Sequence, residues 1–108
     1  MTSEAPSPSG YVDMTLVTIV TEVGIEARME RDLIEAGARG YTSSVARGEG
    51  AHHRHASDIE GGNVRIETVV PEHVADAIML MLRERYFPRY ATVAWLTQVR
   101  VVRADEFS

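Results

Sequence analysis

The sequence predicts an α+β fold in which strand, helix and strand follow one another twice, forming a four-stranded antiparallel sheet with both helices on one face. Two observations carry this expectation. Four segments rich in β-branched residues (15–22, 40–47, 63–70 and 91–103) alternate with two stretches whose apolar residues recur at helical spacing. Each helical stretch also lies between two strand-like ones, and 108 residues suffice for one core and no more.

The opening "MTSEAPSPSG" is built of Ser, Pro and small residues, so residues 1–11 are expected to be a disordered tail and 12–108 the folded domain. "TLVTIVTE" is β-branched and apolar on both faces, the pattern of a strand covered on two sides. Gly24 opens "GIEARMERDLIEAG", where Ile25, Met29 and Leu33 form one stripe and Gly37 supplies a left-handed stop. "GYTSSVAR" reads as the second strand. "NVRIETVV" sets Val64, Ile66, Thr68 and Val70 against Asn63, Arg65 and Glu67, as a half-buried strand does. Pro71 is expected at the first position of the second helix. The apolar stripe of that helix is Val74, Ala77, Ile78, Met81 and Leu82. "YFPRY" ends the helix at Pro88, and "ATVAWLTQVRVVR" is the last strand.

The resulting order is the split βαβ, or ferredoxin-like, arrangement. Two helices cover only one sheet face, yet Leu16 and Val20 lie on one side of the first strand and Val17 and Ile19 on the other. Val93, Trp95, Val99 and Val101 add a second apolar row. A homo-oligomer covering the open face is the expectation.

Composition excludes several function classes. A net charge of −5 argues against a nucleic-acid binder. Without cysteine, no disulfide or thiolate metal site can form. No apolar run is long enough to span a bilayer, so no membrane insertion and a cytoplasmic location are expected.

The connection between the second and third strands is out of the ordinary. It runs from about Gly48 to Gly62, far longer than a hairpin needs, and the stretch "ARGEGAHHRHASD" (46–58) that leads through it has no apolar side chain larger than alanine. Gly48 and Gly50 allow close backbone approach to an anion, while His52, His53, Arg54 and His55 supply donors, three of which titrate near neutrality. The pattern points to phosphate binding. Imidazoles at 52, 53 and 55 also permit a divalent-metal site, although adjacent histidines lack a rigid support on which to converge. His73 lies outside the apolar stripe and reads as a surface residue. Arg89 and Tyr90, in "FPRYAT", and Arg100 and Arg103, near the end of the last strand, would complete a nucleotide-sized cleft if a neighbouring chain brought them to the loop.

The ordered series "LVTIVTE", "EAGARGYTSSVARGEG", the long loop, "NVRIETVV", "YFPRYATVAW" and "VRVVRADEF" resembles the PII-like signalling proteins, in particular the branch associated with bicarbonate transporters and carboxysomes. The resemblance spans residues 15–107. It implies a homotrimer of ferredoxin-like subunits holding an adenine nucleotide, ADP or AMP, in clefts between subunits, with bicarbonate as a further ligand. It also implies a long "T-loop" that orders on binding and signals to a transporter or carbon-fixation partner.

By that resemblance Thr42, in "GYT", lies near the adenine, and Gly48 and Gly50 form the base of the T-loop. His52 reaches the phosphates, and Arg54 or His55 takes the place of a second loop arginine. Arg89, Tyr90, Ala91 and Thr92 form the B-loop, with Thr92 where a glycine is common. The glycine-rich B-loop and lysines of nitrogen-regulatory PII proteins are missing, as is a C-terminal cysteine pair found in some transporter-associated members. The resemblance therefore favours AMP or ADP over ATP with 2-oxoglutarate. No nucleophile–base pair can be placed on this frame, so a non-enzymatic sensor is expected. The alternatives are a divalent-metal-binding trimer using the His-rich loop and, through Asp58 and Glu60, slow nucleotide hydrolysis.

Overall fold

The computed structural model describes residues 10–47 and 62–102. The elements are β1 (Val12–Glu22), a 3₁₀ turn (Val23–Ile25), α1 (Glu26–Ala36), β2 (Thr42–Ala46), β3 (Asn63–Val70), α2 (Glu72–Arg85) and β4 (Val93–Val101). The sheet order is β2-β3-β1-β4, with every neighbouring pair antiparallel. This is the βαββαβ ferredoxin-like arrangement expected from the sequence.

Alternation decides which side chains enter the core. Residues directly opposite across an antiparallel pair share a sheet face, and the register Thr21↔Val64, Ile19↔Ile66, Val17↔Thr68 places these six side chains together. All six are buried. Met29 and Leu33 of α1 and Ile78 and Leu82 of α2 pack on that face and are fully buried. Periodicity of two in the strands and of 3.6 in the helices thus meets in one core.

α1 ends as expected. Gly37 has φ +119°, and the N–H groups of Gly37 and Ala38 return to the carbonyls of Ile34 and Leu33 at 3.0 Å each. Three details differ from the expectation. α1 begins at Glu26 rather than Gly24, because residues 23–25 form a tighter turn. Pro71 precedes the helix as its cap, with an extended ψ of 159° that directs its carbonyl to the N–H groups of Val74 and Ala75. In α2, Ala75 is buried and Ala77 exposed. The stripe centres on Ile78, so its members stand three or four residues away, at 74, 75, 81 and 82; position 77 is turned about 100° from Ile78.

Candidate functional site

The last residues of β1 organise one end of the molecule. Glu22 accepts a hydrogen bond from the Ala91 N–H at 2.9 Å. The next residue, Val23, donates its N–H to the Gly62 carbonyl at 3.0 Å. The preceding residue, Thr21, places its hydroxyl 2.8 Å from that of Thr92. Asn63 pairs with Glu22 on one side and Ala46 on the other. Both ends of the 47–62 connection therefore sit at the same end of the sheet as the turn leading into β4.

That turn is held mostly by its own backbone. The N–H groups of Tyr86 and Phe87 donate to the Leu82 carbonyl, those of Arg89 and Tyr90 to the Tyr86 carbonyl, and that of Thr92 to the Tyr90 carbonyl. Pro88 has no N–H to give. Ala91 alone donates to a side chain, Glu22. The two tyrosine rings pack with centroids 5.8 Å apart. Arg28 of α1 donates to the Tyr90 hydroxyl at 2.8 Å, and the Tyr86 hydroxyl donates to Asp32 at 2.5 Å. Burial, then the bond to Asp32 and the nearby negative charge, push the Tyr86 hydroxyl well above the ordinary phenol range.

Beside the turn, Arg28, Asp32, Arg85, Tyr86 and Arg89 line a concavity of 340 Å³. Arg85 lies 3.5 Å from Asp32, and Arg89 reaches back to the carbonyls of Glu84 and Arg85 at 3.4 and 3.3 Å. Three guanidinium groups against one carboxylate leave this corner positive in a chain of negative net charge. Arg89 is thus turned onto the C-terminal carbonyls of α2, an arrangement the helix dipole favours.

Of the residues expected at a nucleotide site, Arg89, Tyr90, Ala91 and Thr92 are together in this turn. Thr42 and Arg100 are not beside them in the same chain. Thr42 lies in β2 and the turn opens β4, at opposite edges of the sheet, about 14 Å apart across three strand spacings. Arg100 is near the far end of β4, about 23 Å along the strand from Val93, with its guanidinium over the Tyr11 ring at 5.1 Å. A site joining these residues to the turn needs a second chain. Gly48, Gly50, His52, Arg54, His55 and Arg103 lie outside the described residues, as do His53, Asp58 and Glu60. Among the described residues no group of three His, Cys, Asp or Glu side chains is placed to hold a metal ion, and no helix is long and apolar enough to cross a membrane. His73 is exposed.

Sequence reasoning missed Glu22, Arg28 and Thr21. An acid closing a strand of apolar and threonine residues was the available signal for Glu22. Nothing local announces Arg28, whose partner is 62 residues away.

The face of the sheet opposite the helices carries the second apolar row. Val12, Val93 and Trp95 on it are exposed, Trp95 by 43 %. A polar strip interrupts the row: Thr18 donates to Glu67 at 3.0 Å, Glu67 lies 3.8 Å from Arg65, and Arg65 stands over the Trp95 ring at 5.9 Å.

A family model described as nitrogen regulatory protein P-II matches residues 14–106. A protein of Thermus thermophilus, provisionally described as PII-like signalling, is 43% identical, with 91% of this chain and 98% of that one covered and a TM-score of 0.79. CPII of Thiomonas intermedia, solved with ADP and bicarbonate, is 22% identical over 91% of this chain and 97% of that one, with a TM-score of 0.78. The B. subtilis GlnK–ATP complex is 17% identical over 81% and 84% of the two chains, at a TM-score of 0.55. No curated protein sequence matches.

Proposed function

The chain belongs to the nitrogen regulatory protein P-II family, and from that premise we propose that it is a PII-like sensor of ADP or AMP, working as a trimer and signalling through the 47–62 connection. The family is one of regulatory proteins rather than enzymes, and its members are trimers that act on target proteins. What carries the reading is the clamping of two segments by adjacent residues: Glu22 holds the 89–92 turn and Val23 holds the return of the long connection. A ligand that touches the turn is then one residue away from the root of the loop. The basic corner supplied by Arg28, Arg85 and Arg89 favours an anion there.

The nucleotide lies between subunits in this proposal, because Thr42 and Arg100 of the same chain stand away from the turn. Binding selects the loop conformation for which the ligand has the higher affinity, and that conformation offers or hides a surface for a partner. One structure of Thiomonas CPII was solved with ADP, AMP and bicarbonate, which favours bicarbonate as a second ligand here and a partner in inorganic-carbon uptake or fixation.

A thermal-shift panel of AMP, ADP, ATP, cyclic nucleotides, adenosine and bicarbonate tests the proposal, since a ligand that binds only the folded state raises its apparent stability. ADP or AMP should raise the melting temperature by several degrees at saturation. A melting temperature unmoved by every nucleotide would remove the sensor reading.

A further inference from the structure

We infer that the Glu22 carboxylate is a resident anion on the one backbone donor the 86–92 turn has to offer, and that a ligand phosphate must expel it to bind. The inference rests on the nucleotide-sensor reading and identifies the residue that sets its phosphate affinity.

Free donors are scarce in this turn. An anion recognised by a turn is held by main-chain N–H groups that are not already spent. From Tyr86 to Thr92, five N–H groups go to main-chain carbonyls and Pro88 has none. Only the Ala91 N–H is directed at a replaceable group, and that group is a carboxylate at 2.9 Å. The bond is exposed, so a competing anion has access. Among the described residues Glu22 belongs to neither ion pair, Arg65–Glu67 or Arg85–Asp32. Among the described residues its charge is met by the Ala91 amide dipole, an arrangement a phosphate oxygen would reproduce with more charge and more acceptors.

A phosphate approaching Ala91 meets a like charge at about 4 Å, and that repulsion opposes binding until the carboxylate swings away. The swing occurs next to Val23, whose N–H fixes Gly62, so exchange of one anion for another is felt at the return of the 47–62 connection. Glu22 is a positioning residue for the empty turn and a competitor for the filled one.

Glu22→Gln separates charge from geometry, because the amide oxygen still accepts from Ala91 while the negative charge is gone. Calorimetric titrations of the intact chain and of Glu22→Gln with ADP, AMP and adenosine read the difference, with melting curves showing that both are folded. The expected result is about fivefold or greater tightening for ADP and AMP, from removal of the like charge, with adenosine unchanged because it carries no phosphate. Equal or weaker ADP binding by Glu22→Gln, or equal tightening for adenosine, overturns the inference and leaves the sensor reading standing. Failure of both proteins to bind any adenylate overturns both.

Discussion

The Tyr86 hydroxyl donates to an Asp32 carboxylate oxygen at 2.5 Å, joining the end of α2 to the middle of α1 across 54 residues of sequence. Tyr86 is 1% exposed, so its ring belongs to the core and its hydroxyl has Asp32 as its partner. Tyr86→Phe keeps the ring and strips Asp32 of its nearest donor, leaving Arg85 at 3.5 Å. Denaturant unfolding should show a loss of about 1–2 kcal/mol, and an unchanged midpoint would show the bond to be without net value.

The same residue gives an alkaline signature. Its folded-state pKa is raised above that of the unfolded chain, by burial first and by Asp32 second. The neutral hydroxyl's contribution is therefore complete below about pH 10, where the unfolded phenol begins to ionise, and is lost as pH climbs toward the folded-state value. Stability should fall with pH above about 10, and Tyr86→Phe should flatten that limb. A limb of unchanged slope in the variant would assign the effect elsewhere.

Gly37 ends α1 at φ +119°, and a Cβ there would stand 3.2 and 3.3 Å from the two methyl carbons of Val74. Gly37→Ala therefore combines an unfavourable backbone conformation with a close contact inside the helix pair. A loss of about 1–2 kcal/mol is expected in equilibrium unfolding, whereas Gly24→Ala, with open space around its Cβ, should cost much less.

Trp95 lies on the open sheet face beside Val93, and Arg65 covers one side of its ring. If three chains pack these faces together, Trp95→Glu removes the apolar ring and buries a carboxylate whose neighbouring cation, Arg65, is already paired with Glu67. Light scattering after gel filtration should then give a trimer for the natural chain and smaller species for the variant. A monomeric natural chain would contradict the assembly, and an intact trimer in the variant would place the interface elsewhere.

How far the molecule was legible follows from where each signal resides. β3 was readable residue by residue, because Val64, Ile66, Thr68 and Val70 alternate with polar side chains and the same four are buried. The α1 stop at Gly37 was readable for a similar local reason. Ala75 was missed in favour of Ala77 because two alanines flank the stripe, and only the partner surface shows that Ile78 is its centre. The site was legible in part: the 89–92 turn was found from its Pro, Arg and Tyr, but Glu22, 69 residues from Ala91, was not. Such polar pairs leave no periodic trace, since topology alone makes them neighbours. Thr92, placed where a glycine is common in the family it resembles, has its hydroxyl against Thr21, a tie that glycine could not make.

The account depends on an adenylate acting on two segments that Glu22 and Val23 hold side by side. Amide hydrogen exchange of the natural chain with and without saturating ADP or AMP addresses this most directly, read at residues 47–62 and 89–92. Slower exchange in both segments on adding nucleotide is the predicted result. Exchange unchanged in both would contradict the account.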